Sequence, residues 1–225
     1  MKKLIFIFCF FSFSALAQQT ILNVPSSSVT PKDRHFYEGE AQFKIDEPNQ
    51  FANFTNYYAY GLGHDLELDI TQFNLSTPNS HNFSIGVGFK KAFNLDEKNI
   101  YKPIVILGAM APISLQGNKN GHWIYSSFNF TLPQIKTSFT AGISNGTKQI
   151  FGREVTCFMG GFSQEITEKL SFNGDWYSGN HAMGVAAFAF GYEILDDLTF
   201  YGGYQIANQN QRANNSYIVE IAALF

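Results

Sequence analysis

The sequence predicts an all-β fold: a closed antiparallel β-barrel of twelve strands that crosses a membrane. Three observations lead there. From His35 to Phe225 the chain repeatedly places apolar residues at every second position, the period of a strand with two unlike faces. The alternating stretches mostly have the length of about 9–11 residues that a tilted strand needs to cross a bilayer. The links between them alternate between short and long, as they do when one rim carries tight turns and the other carries loops.

The chain opens on a different grammar. Lys2 and Lys3 precede an apolar run from Leu4 to Phe13, and Ala15-Leu16-Ala17 supplies small residues at cleavage spacing, so residues 1–17 read as a secretory signal peptide. The run is shorter than the roughly 20 residues of a spanning helix, and Cys9 lies inside it with no lipid-attachment box around it. Residues 18–34 (QQTILNVPSSSVTPKDR) have no periodicity; Pro25, Pro31 and the serines between them mark an extended N-terminal segment. Two forms are open to it: a tail outside the barrel, or a short plug folded into the barrel mouth.

The strands are expected at 35–46, 53–63, 66–75, 82–93, 101–113, 121–131, 136–145, 154–165, 169–178, 182–193, 198–207 and 215–225. In the first, Tyr37, Gly39, Ala41, Phe43 and Ile45 alternate with Glu38, Glu40, Gln42 and Lys44. In the fourth, Phe83, Ile85, Val87 and Phe89 alternate with Ser84, Gly86, Gly88 and Lys90. In the ninth, Leu170, Phe172, Gly174 and Trp176 alternate with Ser171, Asn173, Asp175 and Tyr177; in the tenth, Phe188, Phe190 and Tyr192 oppose Ala187, Ala189, Gly191 and Glu193. The last strand sets Tyr217, Val219, Ile221 and Ala223 against a face carrying Glu220. The fifth strand is apolar on both faces, and neither its inward side nor that of the second can be assigned. Short links (Gly63-His64-Asp65, Leu195-Asp196-Asp197) and longer polar ones (76–82, 116–121, 145–153, 208–215) fall on opposite rims only if the strand count is even.

Composition sorts the remaining possibilities. The chain holds 24 Phe and 11 Tyr yet has a mean hydropathy of only −0.10, as expected when only alternate residues meet lipid. A secreted β-sandwich would alternate too, but it shows its polar face to bulk water. Here the apolar face is dense in Phe, Leu and Ile, with Tyr and Trp near strand ends, which suits hydrocarbon outside and an enclosed polar face. Lys2 and Lys3 leave with the leader, so 13 of the 15 basic residues face 18 acidic ones, a net of −5. That balance argues against nucleic acid as a partner. Cys157 is then the one cysteine of the mature chain, which excludes a disulfide framework.

The terminal stretch Tyr217 to Phe225, ending on an aromatic residue, resembles the closing strand of bacterial outer-membrane β-barrel proteins. The leader, the link asymmetry and a weak internal repeat (FSQEITEKLSFNGDWYSG and FGYEILDDLTFYGGYQIA) fit the same porin-like family. The resemblance implies a bacterial outer-membrane location with both termini in the periplasm. It also implies a periplasmic place for residues 18–34, with 35–225 as the barrel. Its partners would be outer-membrane lipids and the barrel assembly machinery, which would read Tyr217 to Phe225.

Alternation assigns the enclosed face. It receives Glu38, Glu40, Glu67, Asp69, Glu165, Asp175, Glu193 and Glu220, with Lys44 and Lys90, while Lys102 and Lys136 fall near the lower rim. Gln42, Asn129, Ser171, Asn173, Tyr177, Tyr201 and Gln205 add uncharged hydrogen-bonding groups. The acidic excess points to a narrow passage for small polar or cationic solutes, because carboxylate rings select for positive charge. The alternative is a filled lumen whose charges pair across it, in a structural or surface-interaction barrel; twelve strands lie between filled eight-stranded barrels and open porins. A third reading comes from Ser178 and His181 with Asp175 nearby, residue types that outer-membrane lipid hydrolases place on a barrel wall, although adjacency in sequence does not set the geometry of a nucleophile and its base. The five histidines lack metal-ligand spacing, so no metal and no cofactor are expected.

Overall fold

A computed structural model of the chain describes residues 20–44, 51–77, 84–115, 120–148, 156–181, 183–209 and 215–225. The expected leader (1–17), His81 and most of the longer links lie outside these residues. Twelve strands form: β1 (His35–Lys44), β2 (Phe51–Gly63), β3 (Leu66–Thr77), β4 (Ser84–Asn94), β5 (Ile104–Ser114), β6 (Trp123–Leu132), β7 (Thr137–Gly146), β8 (Thr156–Glu165), β9 (Leu170–Tyr177), β10 (Val185–Leu195), β11 (Leu198–Ala207) and β12 (Ser216–Leu224). Each pairs antiparallel with its neighbours in sequence, and β1 pairs with β12, so the sheet closes. The seam is in register from Phe36 opposite Leu224 to Phe43 opposite Tyr217. Beyond it, His35 and Phe225 exchange both backbone hydrogen bonds at 2.8 Å, so the two ends of the barrel sequence meet at one rim.

That rim also carries the tight connections. His64 and Asp65 join β2 to β3 with φ of 52° and 55°, the left-handed pair that a two-residue hairpin turn requires. Asp196 and Asp197 join β10 to β11, and Arg34 reaches Asp197 across the rim at 3.3 Å. The strand ends that flank the longer links lie at the opposite rim.

Burial alternates as the sequence pattern does. On the outside stand Leu68, Ile70, Val87, Phe89, Leu107, Phe128, Phe158, Phe190, Phe200 and Ile221, all exposed. Trp176, Tyr204 and Tyr217 point outward toward the rim of the longer links, the last two rings meeting edge-on at 5.1 Å. The strand whose faces the sequence could not separate resolves cleanly. In β5, Ile106, Gly108, Met110 and Pro112 are buried, while Leu107, Ala111 and Ile113 are exposed. Its inner face is apolar because the barrel interior beside it is packed. β2 resolves as well, with Ala59 and Gly61 buried and Tyr58 and Leu62 exposed; a register shift between Phe54 and Asn56 explains why its pattern was ambiguous.

The segment before β1 runs inside the barrel. Ile21, Leu22, Val24 and Thr30 are buried. Leu22 packs with Phe36, Ala59, Ala187, Ala189, Tyr201, Ile218 and Ala222, all on the inner wall. Ile21 and Val24 pack with Cys157, Met159 and Tyr177, with Trp123 and Tyr125 against them. Of the two forms open to residues 18–34, the described part therefore takes the plug rather than the outside tail. The physical reason is the Ile-Leu-Asn-Val island, since burying each such aliphatic side chain contributes about 1.5–3 kcal/mol.

An outer face of this composition can be tested directly. Ile70 is 50 % exposed near the middle of β3. Ile70→Arg should cost about 2–4 kcal/mol in urea unfolding from lipid vesicles if that face meets hydrocarbon. A cost of about 0.5 kcal/mol or less, the value for an ordinary aqueous surface, would show that it does not.

Candidate functional site: the enclosed lumen

The inner wall is built by the inward residues of consecutive strands, and its charges sort into two groups. Lys90 of β4 stands opposite Glu67 of β3 in the ladder, and their side chains pair at 3.2 Å. Tyr57 donates its hydroxyl to Glu67 Oε1 at 3.0 Å, and the backbone N–H of Thr30 donates to Glu67 Oε2 at 2.6 Å. Both oxygens of Glu67 are thus engaged, as a buried carboxylate demands. Asp69 follows on the same face, also buried.

The second group gathers near the seam. Glu40 of β1 is the ladder partner of Glu220 of β12, and Glu38 lies one inward position away. Glu38 accepts from the Thr20 hydroxyl at 2.8 Å, and Glu40 accepts from Gln42 Nε2 at 2.9 Å. Gln205 extends this polar strip by donating to Gln42 at 3.3 Å. Neither oxygen of Glu220 has a hydrogen-bond partner among the described residues, although the side chain is buried. Lys90 is the one buried lysine or arginine among the described residues, and it is paired with Glu67. The strip at the seam is therefore acidic.

Asp175 of β9 has a separate role. Its Oδ2 accepts three successive backbone N–H groups, from Leu22, Asn23 and Val24, at 3.0, 2.5 and 2.7 Å. Asn23 also donates its side-chain amide to Oδ1 at 3.4 Å, and Ile21 N–H closes the turn onto the Val24 carbonyl at 2.7 Å. Convergent backbone amides of this kind form an anion-binding concavity. Charge-assisted bonds are roughly twice as strong as neutral ones. Here the anion belongs to the wall and the concavity to the N-terminal segment.

Two glycines lower the wall where that segment passes. A Cβ on Gly61 would lie 2.0 Å from the Pro31 carbonyl oxygen, and one on Gly161 would lie 2.6 Å from Ile21 Cδ1. The first conflict is with backbone and has no side-chain rotation to relieve it.

The predicted lumen residues are distributed unevenly. Glu38, Glu67, Asp69, Lys90, Asp175 and Glu220 are buried on the inner face, with Glu40 partly so. Lys44 ends β1 at the rim of the longer links and is partly exposed. Glu165 and Glu193 sit near the opposite rim: Glu165 pairs with Lys136 at 2.5 Å in the open, and Glu193 is partly exposed beside a register shift. Lys102 is also exposed at that rim, in a turn. Ser171, Asn173, Asn129, Tyr177, Tyr201 and Gln205 all lie on the inner face, the first two bonded to each other at 2.9 Å.

Ser178, His181 and Asp175 are not arranged as a nucleophile, base and orienting acid. Ser178 Oγ accepts from the Phe158 N–H at 2.8 Å, extending the β8–β9 pairing. His181 directs Nε2 at the Ser178 carbonyl oxygen, 2.7 Å away. A carbonyl only accepts, so this nitrogen carries the proton and faces the backbone rather than the hydroxyl. Asp175 is occupied by residues 22–24. Among the described residues no cluster of His, Cys, Asp and Glu has the arrangement to hold a metal ion.

The residues that sequence reasoning missed are Thr20, Leu22, Asn23, Val24 and Thr30, whose partners lie up to 154 positions away. Local pattern carries no trace of such contacts, apart from the four-residue Ile-Leu-Asn-Val stretch in an otherwise polar lead-in.

The Glu67–Lys90 pair generates a stability prediction. Lys90→Met leaves a buried carboxylate without its cation and should cost about 3–5 kcal/mol. Adding Glu67→Gln should restore most of that loss in the same unfolding assay. Equal losses in the single and double variants would mean that packing, not charge, is responsible.

A scan against protein-family models and a search of curated proteins find no match to this chain. Solved structures do match. A KdgM porin in complex with disordered oligogalacturonate superposes with a TM-score of 0.63 at 9 % identity, covering 85 % of this chain and 99 % of the porin. A NanC porin gives 0.61 at 14 % identity, covering 84 % and 98 %. An outer-membrane channel from Pseudomonas putida F1 gives 0.51 at 8 % identity, covering 87 % and 96 %. The chain has the fold of the outer-membrane porins and channels: a closed barrel of twelve antiparallel strands.

Proposed function

We propose that this protein is an outer-membrane channel for small polar solutes that favours cations. The observation that carries the proposal is the acidic strip of Glu38, Glu40 and Glu220 inside a closed barrel whose one buried amine among the described residues is already paired. A negative lining attracts cations and repels anions. Enclosure between low-dielectric walls strengthens that preference, since field lines are focused rather than screened. The porin and channel structures that share the fold support the same reading. The residues Glu165 and Glu193 at the turn rim would act as a weaker filter, being more exposed to solvent. The outer-membrane location, periplasmic termini and recognition of Tyr217 to Phe225 by the assembly machinery belong to this reading.

One observation favours a filled lumen instead. Glu67, Lys90 and Glu220 are 0 %, 1 % and 1 % exposed, so water has no room beside them in this form. Much of what fills the space is the segment from Thr20 to Thr30 rather than the wall itself.

Reconstitution in planar bilayers tests the proposal. Discrete openings are expected with cations more permeant than anions. The triple variant Glu38→Gln, Glu40→Gln, Glu220→Gln should lose most of that preference, while Glu165→Gln should change it little. Conductance indistinguishable from bare lipid, or selectivity untouched by the triple variant, would overturn the proposal.

A further inference from the structure

We infer that the lumen wall is a receptor site for a turn-forming peptide segment, occupied in cis by residues 20–30, and that this occupancy shuts the passage. The inference rests on the channel reading above and adds the site, its ligand and its consequence.

The site is built rather than incidental. Asp175 holds three backbone N–H groups of the segment, and Glu67 holds a fourth, from Thr30. Glu38 takes the Thr20 hydroxyl, and Tyr177 donates to the Asn23 carbonyl at 3.4 Å. Both carboxylates are buried. Backbone amides are present in every peptide, so these bonds fix a tight turn of the main chain, closed by Ile21 N–H on the Val24 carbonyl, and the side chains of residues 21, 22 and 24 give it identity. Leu22 enters a recess floored by Ala59, Ala187, Ala189 and Ala222, where larger residues would leave no room. Gly61 and Gly161 remove the wall at two further points of approach.

The segment also spans the height of the lumen. Thr30 is bound at Glu67, the second residue of β3 after the turn rim, and Leu22 to Val24 are bound at Asp175, the sixth residue of β9 from that same rim. A chain anchored at both levels blocks the bore between them. Asp175 and Glu67 hold the segment by bonds to its main chain, so the closed form needs no partner and opens when they release.

Three measurements test this on the leaderless full chain. First, Val24→Cys is paired with native Cys157, which packs in the same cluster as Val24. Mild oxidation should join the two and abolish openings, and reduction should restore them. Second, deletion of residues 20–30, and separately Asp175→Asn, should raise the open fraction at least tenfold. Third, a synthetic peptide of residues 20–30 should block the deleted barrel and change the fluorescence of Trp123, which packs against the cluster that includes Ile21 and Val24, in a Trp176→Phe background; a scrambled peptide should do neither. Should the deleted barrel fail to fold, the cysteine pair carries the test in a chain of full length. Peptide binding or cross-linking without conductance in any form would overturn the shutting role and the channel reading together while leaving the site. No cross-link and no peptide binding, with equal conductance before and after deletion, would overturn the site and leave the channel.

Discussion

Everything in this molecule depends on closure of the sheet between β1 and β12. An apolar outer face cannot stand beside unpaired backbone groups in hydrocarbon, where no water is present to satisfy them. Closure removes the edge, and here it runs the whole length of β1 from Phe36 to Phe43. It also creates an inside. Once the seam forms, the inward residues of twelve strands share a space walled off from lipid, and the buried polar groups on them are stabilised from within that space.

The buried carboxylates fall into three arrangements. Glu67 and Lys90 neutralise each other across one ladder rung. Asp175 is solvated by main-chain amides brought in by the N-terminal segment. Beside the seam, Glu38 accepts from the Thr20 hydroxyl and Glu40 from the Gln42 amide, and Glu220 has no hydrogen-bond partner among the described residues. The first two arrangements are structural in character. The third gathers carboxyl groups in the interior, which is why the seam strip rather than the Glu67 level carries the functional argument. Buried charge without a fixed cation is costly, and function is a common reason for a fold to retain it.

The sequence carried the fold well. Period-two patterning found all twelve strands, and β11 coincides with its expected span of 198–207. Inward faces followed from alternation wherever one face was polar, so Glu38, Glu67, Lys90, Asp175 and Glu220 were assigned from parity alone. Parity failed where both faces are apolar. Ile106 and Met110 face inward because the interior is packed, a fact that hydropathy averaging cannot express. Glu165 and Glu193 show a second limit: correct parity says which way a residue points but not how deep it lies. The N-terminal segment was the least legible part. Its contacts to Asp175 join residues more than 150 positions apart, and its bonds use backbone N–H groups that every residue type possesses.

The meeting of His35 with Phe225 at one rim has a consequence for how the molecule is put together. The internal segment is continuous with β1, and β1 is one lip of the seam. A strip tied to the first stave of a cask is enclosed when the last stave is set against the first, so no free end has to be passed through a finished hole. The interior is thus filled in the same act that seals it, and the final rung of the ladder fastens the lid of a container already packed.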